Sequence, residues 1–208
     1  MAFNSSASLL GVGARDGVVH VWALPDGREF LRISHGAPVS QVSFHPKTNQ
    51  LATASDDGHV RIFDIARAAI VADFKCRDKM VATSFSPSGD LLAALSSEGV
   101  VSLFDPAHRK VLRTLGGGEA GFHMAFSDKG KRVAIASGDF ASVWDVTSGR
   151  QLLKATHAAS SETLTPQQWI VNAAISSNGE IPGLCGARRK IGPCLERGDW
   201  PRDSRAQA

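Results

Sequence analysis

The sequence predicts an all-β fold built from repeated four-stranded antiparallel units, and three sets of regularly spaced residues support this prediction. Every set recurs with a spacing of 40 or 41 residues. The sets are four phenylalanines (Phe3, Phe44, Phe85, Phe126), four acidic residues (Asp16, Asp57, Glu98, Asp139) and four further aromatic residues (Trp22, Phe63, Phe104, Trp144). A fixed period of this length indicates a repeat architecture. We therefore expect the four phenylalanines to occupy equivalent buried positions.

The second repeat shows how one unit divides into strands. Short apolar runs between turn residues predict strands at 38–44, 50–54, 60–65 and 69–74. Asp57-Gly58 predicts a tight turn between the second and third strands, because glycine readily adopts the positive φ that such a turn needs. Four short antiparallel strands in about 40 residues are typical of one β-propeller blade. A helical solenoid is excluded because the 3.6-residue period is missing.

The repeats resemble those of the WD-repeat (WD40) β-propeller family. The resemblance depends on the blocks FHP (44–46), ASDDGHVRIFD (54–64), FSPSGDLLAALSSEGVVSLFD (85–105) and FSDKGKRVAIASGDFASVWD (126–145). It covers residues 2–155 well and continues weakly through residues 169–179. It implies a propeller domain over residues 1–180, with blades near 1–34, 35–75, 76–116 and 117–156 and a degenerate fifth near 165–195. The polar segment 196–208 predicts a disordered tail.

The number of blades predicts an open or partial propeller. Propellers close with roughly 4–8 blades, and the resemblance implies a family that most often uses seven. Three explanations stay open: the chain is a piece of a larger propeller, a partner completes it, or it is a truncated product with an altered reading frame after about residue 180. Because exposed strand edges pair with other chains, we expect self-association or dependence on a partner.

The family resemblance also implies a polar network within each blade. It joins a histidine before the first strand, a serine or threonine in the second, the turn acid and the tryptophan of the third. The corresponding residues are His35, Thr53 and Asp57 in the second repeat, Asp16 and Trp22 in the first, and Asp139 and Trp144 in the fourth. Each repeat lacks at least one member, and Phe63 replaces tryptophan in the second. We therefore expect packing to replace polar bonding, with Asp57 within reach of His35 and Thr53.

The resemblance implies a non-catalytic scaffold that binds proteins or peptides through loops at one end of the blades. The candidate contacts are Arg15, Asp56, Lys79, Phe122 and Trp169. Arginine and aromatic side chains are common binding hot spots, although Phe122 and Trp169 would also suit packing between blades. A sensor or regulatory module, or a fragment of a larger signalling protein, is the alternative function. An enzyme built on a propeller is less favoured, because no catalytic motif is present.

Composition and motifs exclude several classes of function. The seven histidines do not show metal-ligand spacing, and Gly116-Gly117-Gly118 lacks the lysine and hydroxyl residue of a phosphate loop, so we expect no metal and no cofactor. The chain has 23 basic and 20 acidic residues, with the excess after Ile181, which argues against a nucleic-acid surface. No apolar run approaches the ~20 residues of a membrane helix. The start of the sequence lacks a secretory signal and the three cysteines lack a C-x-x-C pair, which favours the cytoplasm.

Overall fold

The computed structural model describes residues 1–127, 129–137 and 140–156, together with the backbone of two further strands at 170–175 and 182–186. These residues form strands and turns, and none of them lies in a helix. The fold is therefore all-β, as the repeats predict.

Four of the sheets contain four strands each, in chain order. Sheet 1 consists of β1 (Ala2–Phe3), β2 (Leu9–Gly13), β3 (Val18–Ala23) and β4 (Glu29–Ser34). Sheet 2 consists of β5 (Val39–Phe44), β6 (Gln50–Ser55), β7 (His59–Asp64) and β8 (Ala69–Lys75). Sheet 3 consists of β9 (Met80–Phe85), β10 (Leu92–Ser96), β11 (Val100–Asp105) and β12 (Lys110–Gly116). Sheet 4 consists of β13 (Gly121–Phe126), β14 (Arg132–Ser137), β15 (Phe140–Asp145) and β16 (Gln151–Thr156).

The beginning of a fifth unit is present as a strand pair. Strand β17 (Ile170–Ile175) pairs antiparallel with β18 (Pro182–Gly186). β17 contacts β13 and β14 of sheet 4. The described chain thus contains four complete blades and part of a fifth, arranged as a partial or open propeller.

The four sheets repeat the same local irregularity. In every sheet the pairing of the third and fourth strands shifts immediately before the third-strand aromatic residue, namely before Trp22, Phe63, Phe104 and Trp144. The turn between the second and third strands also recurs, with glycines at positive φ at positions 17, 58 and 99. At Gly99 a side chain would overlap the carbonyl of Glu119. The 41-residue period of the sequence is therefore a period of backbone geometry.

The hydrophobic core lies between successive sheets. One buried cluster joins Phe74 and other residues of sheet 2 to Met80, Phe85 and Phe104 of sheet 3, and equivalent clusters join sheets 1 and 2 and sheets 3 and 4. The first strands contact one another in order, whereas the fourth strands are largely exposed. Each sheet therefore depends on its neighbours for burial of its two faces.

The first strand of each sheet is its inner strand. Side chains of the inner strand of sheet 2 also accept hydrogen bonds from the backbone of the inner strand of sheet 3. The amide of Thr83 donates to Gln41 Oε1 at 3.1 Å, and the amide of Phe85 donates to Ser43 Oγ at 3.2 Å. These bonds satisfy donors at the inner edge of sheet 3 that strand pairing leaves free.

The expectation that all four phenylalanines are buried is wrong for Phe3. Phe44 and Phe85 are 8% and 6% exposed, and Phe126 is half-buried, but Phe3 is 58% exposed. The reason is the neighbouring sheet: the ring of Phe44 packs against Gly11 of sheet 1, where a Cβ would lie 3.2 Å from it. Among the described residues, no equivalent sheet covers Phe3. In the described part of the chain, the side of sheet 1 that carries Phe3 is consequently uncovered.

Candidate functional site

One end of the sheets carries a surface that we call the end surface, made of Arg15, Ser40, Asp56, Lys79, Val81 and Phe122. It combines the turns between second and third strands with the first residues of the inner strands. Ser40, Val81 and Phe122 are the extra residues of a β-bulge at the start of β5, β9 and β13. A bulge redirects a side chain away from regular pairing. The repeat thus places one non-regular residue per blade at this end.

The predicted contacts Asp56 and Lys79 lie together across sheets 2 and 3. Lys79 Nζ is 3.7 Å from Asp56 Oδ2, and Ser40 Oγ donates to Asp56 Oδ1 at 3.1 Å. The Lys79 side chain is 67% exposed, so this pair contributes little stability and both groups can exchange it for a partner.

The other predicted contacts are placed less closely. Arg15 is exposed and forms no ion pair with the described residues, and Phe122 is half-buried. Trp169 lies outside the described residues. Asp56 and Lys79 therefore contact each other, whereas Arg15 lies at the same end of the sheets without a hydrogen bond or ion pair to either of them.

Beneath the end surface, the second repeat contains a polar network centred on Arg61. Its guanidinium lies 2.8 Å from Asp57 Oδ2, 2.7 Å from His35 Nδ1 and, through Nε, 3.3 Å from Asp73 Oδ2. Thr53 Oγ1 donates to the Arg61 carbonyl at 3.3 Å. The Arg61 side chain is 15% exposed. An almost buried cation is therefore held between two carboxylates.

This geometry corrects two expectations. Asp57 bonds to Arg61 rather than to His35 and Thr53, and polar bonding persists in the second repeat although Phe63 has replaced tryptophan. The reason is that arginine supplies the donors that the indole would have supplied. Phe63 instead packs edge-on against the His35 ring at a centroid distance of 5.5 Å. Alignment of the repeats shows that position 61 varies in chemistry, because His20 and Ser102 stand at the same position in the first and third repeats.

The electrostatics of the network follow from burial and charge. Burial alone would raise the pKa of Asp57, but hydrogen bonds from Arg61, the His59 amide and Ser55 lower it below its usual value. Burial, followed by the positive charge of Arg61, lowers the pKa of His35 to about 4. His35 Nε2 is also buried without a hydrogen-bond partner among the described residues. The network therefore favours neutral His35 and charged Asp57.

The other predicted network residues differ from blade to blade. Trp22 stacks on His20 at a centroid distance of 5.2 Å, and Asp16 is exposed and accepts the Val18 amide at 2.9 Å. Trp144 is half-buried and its indole donates to Ser142 Oγ at 2.9 Å. Asp139 lies outside the described residues. The repeats thus share the positions of the turn acid and the third-strand aromatic residue, but the contacts of these side chains differ from blade to blade.

Asp57→Ala should destabilise the fold more than Asp56→Ala. Loss of Asp57 removes one carboxylate from an almost buried guanidinium, which should cost about 1–3 kcal/mol. Loss of Asp56 breaks only a long, exposed ion pair and should cost less than about 1 kcal/mol. Urea denaturation of both variants measures the difference; equal midpoints would contradict the assignment of Asp57 to the network.

The pH dependence of stability should change when His35 is replaced by glutamine. Because the folded pKa of His35 is about 4 and its ordinary value is 6.5, the unfolded chain binds this proton first as the pH falls. The contribution of His35 is therefore complete above pH 6.5 and is lost between 6.5 and about 4. In that window His35→Gln should reduce the slope of unfolding free energy against pH by up to about 1.4 kcal/mol per unit. Identical slopes in urea titrations of both proteins would refute this.

The described residues show neither a metal-binding cluster nor a membrane-spanning helix. No group of three or more histidine, cysteine, aspartate or glutamate side chains is arranged to hold a metal ion there. In the same part of the chain, no helix has the length and apolarity to cross a lipid bilayer.

Comparison with known proteins identifies the repeat. The family described as "WD domain, G-beta repeat" matches residues 28–64. This segment begins at β4 of sheet 1 and ends with β7 of sheet 2. One sequence repeat therefore contributes strands to two successive sheets, which links them covalently as well as by packing.

Three proteins are similar to part of the chain, and the names of two of them include the WD repeat. The chain is 35% identical over 71 residues to WD repeat-containing protein SL1-17 of Schistosoma mansoni, covering 34% of the chain and 24% of that protein. It is 36% identical over 83 residues to WD repeat and HMG-box DNA-binding protein 1 of Xenopus laevis, covering 38% and 7%. It is 29% identical over 75 residues to small ribosomal subunit protein RACK1z of Arabidopsis thaliana, covering 36% and 23%. The matched region thus spans about a quarter or less of these relatives.

Proposed function

We propose that this chain, whose residues 28–64 match the WD repeat, is a non-catalytic scaffold that binds other proteins or peptides through its end surface. WD-repeat relatives support a protein-interaction function in general. The observation that carries the specific proposal is the recurrence of a bulge residue at the start of β5, β9 and β13, beside the exposed charges of Arg15 and Lys79. A rigid platform with variable end residues is suited to recognition.

The charges at this end define what the partner would offer. Arg15 is exposed without an ion-pair partner in the described part of the chain, and Lys79 has only a long contact to Asp56. An acidic group on the partner would pair with either cation, while Asp56 would select for a basic group beside it. We infer that the partner segment carries mixed charge and an apolar residue opposite Phe122.

Protein is favoured over nucleic acid as the partner, since the excess of basic residues lies after Ile181 and not in the blades. One relative has DNA-binding in its name. A gel-shift titration with duplex DNA distinguishes the two: we expect no complex at physiological salt, and a tight salt-sensitive complex would contradict the proposal.

Quantitative affinity purification with charge-reversal variants tests the end surface. Arg15→Glu and Lys79→Glu should reduce recovery of the retained proteins by about tenfold, the effect of losing a hot-spot contact. Asp90→Lys is the matched control, because Asp90 is an exposed charge in the β9–β10 connection at the opposite end. If all three variants retain the same proteins in the same amounts, the end surface is not the binding site.

A second arrangement follows from the open flank. Phe3 is 58% exposed on an inner strand whose counterparts are covered by a preceding sheet. We infer that a second copy of the chain or a partner's sheet covers this flank. Light scattering of the wild-type chain and of Phe3→Ser across a range of concentrations tests it.

A further inference from the structure

Three clefts occupy the same place in successive repeats. Each lies between the segment that enters a sheet and the outer half of that sheet. The equivalence is visible in the backbone: the His35 amide donates to the Gly17 carbonyl at 2.7 Å, and the Cys76 amide donates to the Gly58 carbonyl, also at 2.7 Å. The strand pairs Arg61–Asp73, Ser102–Thr114 and Ser142–Lys154 share one register. We call these the first, second and third clefts, in sheets 2, 3 and 4.

Two of the clefts contain a cation supplied by the chain. In the first, Arg61 lies between Asp57 and Asp73. In the third, Lys154 Nζ lies 3.8 Å from the centre of the Phe140 ring and 3.5 Å from Glu119 Oε1. The cation is on the third strand in one case and on the fourth in the other, but it meets a carboxylate in both.

The second cleft lacks this internal cation. Ser102 stands where Arg61 stands in the first cleft, and Thr114 stands where Lys154 stands in the third. A cavity of about 610 Å³ lies here, lined by Met80, Val100 and Phe104 on its apolar side. The cavity in the third cleft, which lysine partly fills, has about 190 Å³.

The polar lining of the second cleft retains the acidic half of the arrangement. Glu98, the counterpart of Asp57, lines the cavity and has no hydrogen bond or ion pair with the described residues. Ser96, Ser102 and Thr114 add hydroxyl groups. Burial, followed by the charges of Asp73 and Asp78, raises the pKa of Cys76 to about 11, so its thiol is neutral. The cleft therefore offers acceptors, and the two cations of its lining, Lys75 and Arg77, are exposed.

We propose that the second cleft binds an arginine side chain of a partner protein, with Glu98 accepting the guanidinium. The chain's own Arg61 demonstrates that this fold position suits a guanidinium flanked by the turn carboxylate. Arginine matches a cleft that presents several oxygens, because its planar group directs five N–H donors. Met80, Val100 and Phe104 would contact its aliphatic part.

The net charge of the cleft does not decide whether it binds a basic or an acidic side chain. Lys75 and Arg77 balance Asp78 and Glu98 in the lining. Lys75, Arg77 and Glu98 are all exposed, but an entering arginine would meet Glu98 at the position where Arg61 meets Asp57. An acidic or phosphorylated side chain would contact Lys75 and Arg77 instead, and is the alternative that the experiment distinguishes.

Titration of the full chain with short peptides, followed by NMR or calorimetry, tests the proposal. The probe is acetyl-Gly-Gly-Arg-Gly-Gly-amide, with citrulline and phosphoserine versions as matched controls. We expect saturable binding of the arginine peptide, and at least about tenfold weaker binding of the neutral citrulline peptide, because a hydrogen-bonded charge is lost. Glu98→Gln should weaken binding of the arginine peptide by a similar factor, and Asp90→Asn should leave it unchanged.

Ser102→Arg supplies a second, independent variant. It places an arginine in the second cleft at the position that Arg61 occupies in the first, and should therefore abolish binding of the peptide. If this variant does not fold, the result for Glu98→Gln alone tests the proposal. Equal binding of arginine and citrulline peptides, no saturable binding, no effect of Glu98→Gln, or preference for the phosphoserine peptide would overturn the proposal. The proposal depends on the scaffold function only in assigning the arginine to a partner. Since the titration uses a defined peptide, its failure is distinct from failure of the end-surface purification.

Discussion

Phe104→Ala should lower the free energy of unfolding by about 3–5 kcal/mol, the usual cost of removing a fully buried aromatic side chain. Phe104 is 1% exposed and its ring centre lies 4.4 Å from that of Phe74 in the preceding sheet. The substitution therefore removes packing within sheet 3 and across the junction with sheet 2. Urea denaturation followed by circular dichroism measures the loss.

Phe30→Ala is the matched control for this substitution. Phe30 is also on a strand and also aromatic, but it is 48% exposed on the outer strand β4. We expect a loss below about 1 kcal/mol, as for most surface substitutions. Similar losses for Phe30 and Phe104 would mean that the junction between sheets 2 and 3 is not a core.

Arg61→Met should destabilise the chain by about 3 kcal/mol, because it leaves Asp57 and Asp73 without the cation between them. Methionine keeps much of the aliphatic volume, so the measured loss reports mainly on charge. The control is Arg67→Met: the Arg67 side chain is 80% exposed and its ion pair with Asp64 is 3.7 Å long. If Arg61→Met is as stable as the wild type, the network does not contribute to the stability of the fold.

The repeat architecture could be predicted because it depends on local patterns. In the second repeat, the predicted strands 38–44, 50–54, 60–65 and 69–74 agree with β5 to β8 within one residue at each end. The turn at Asp57-Gly58 has the expected positive φ at Gly58. These features follow from alternation and turn chemistry, which neighbouring residues determine.

Features that depend on contacts between sheets were harder to predict. Phe3 keeps the 41-residue spacing, yet its burial depends on a preceding sheet and not on its own strand. Alignment of the repeats marks position 61 as variable, but the role of Arg61 follows from its contacts with His35, Asp57 and Asp73. The second cleft is lined by residues from several strands and from the segment before β9, and a cavity formed in this way has no signal in a single repeat.

Light scattering across a wide range of concentrations, combined with urea denaturation, tests the open arrangement most directly. The exposed Phe3 flank should make the purified chain self-associate as its concentration rises, and Phe3→Ser should reduce that association. A wild-type chain that stays a monodisperse monomer at all concentrations and unfolds in one cooperative step would contradict the open arc, because it would mean that the flank is already covered.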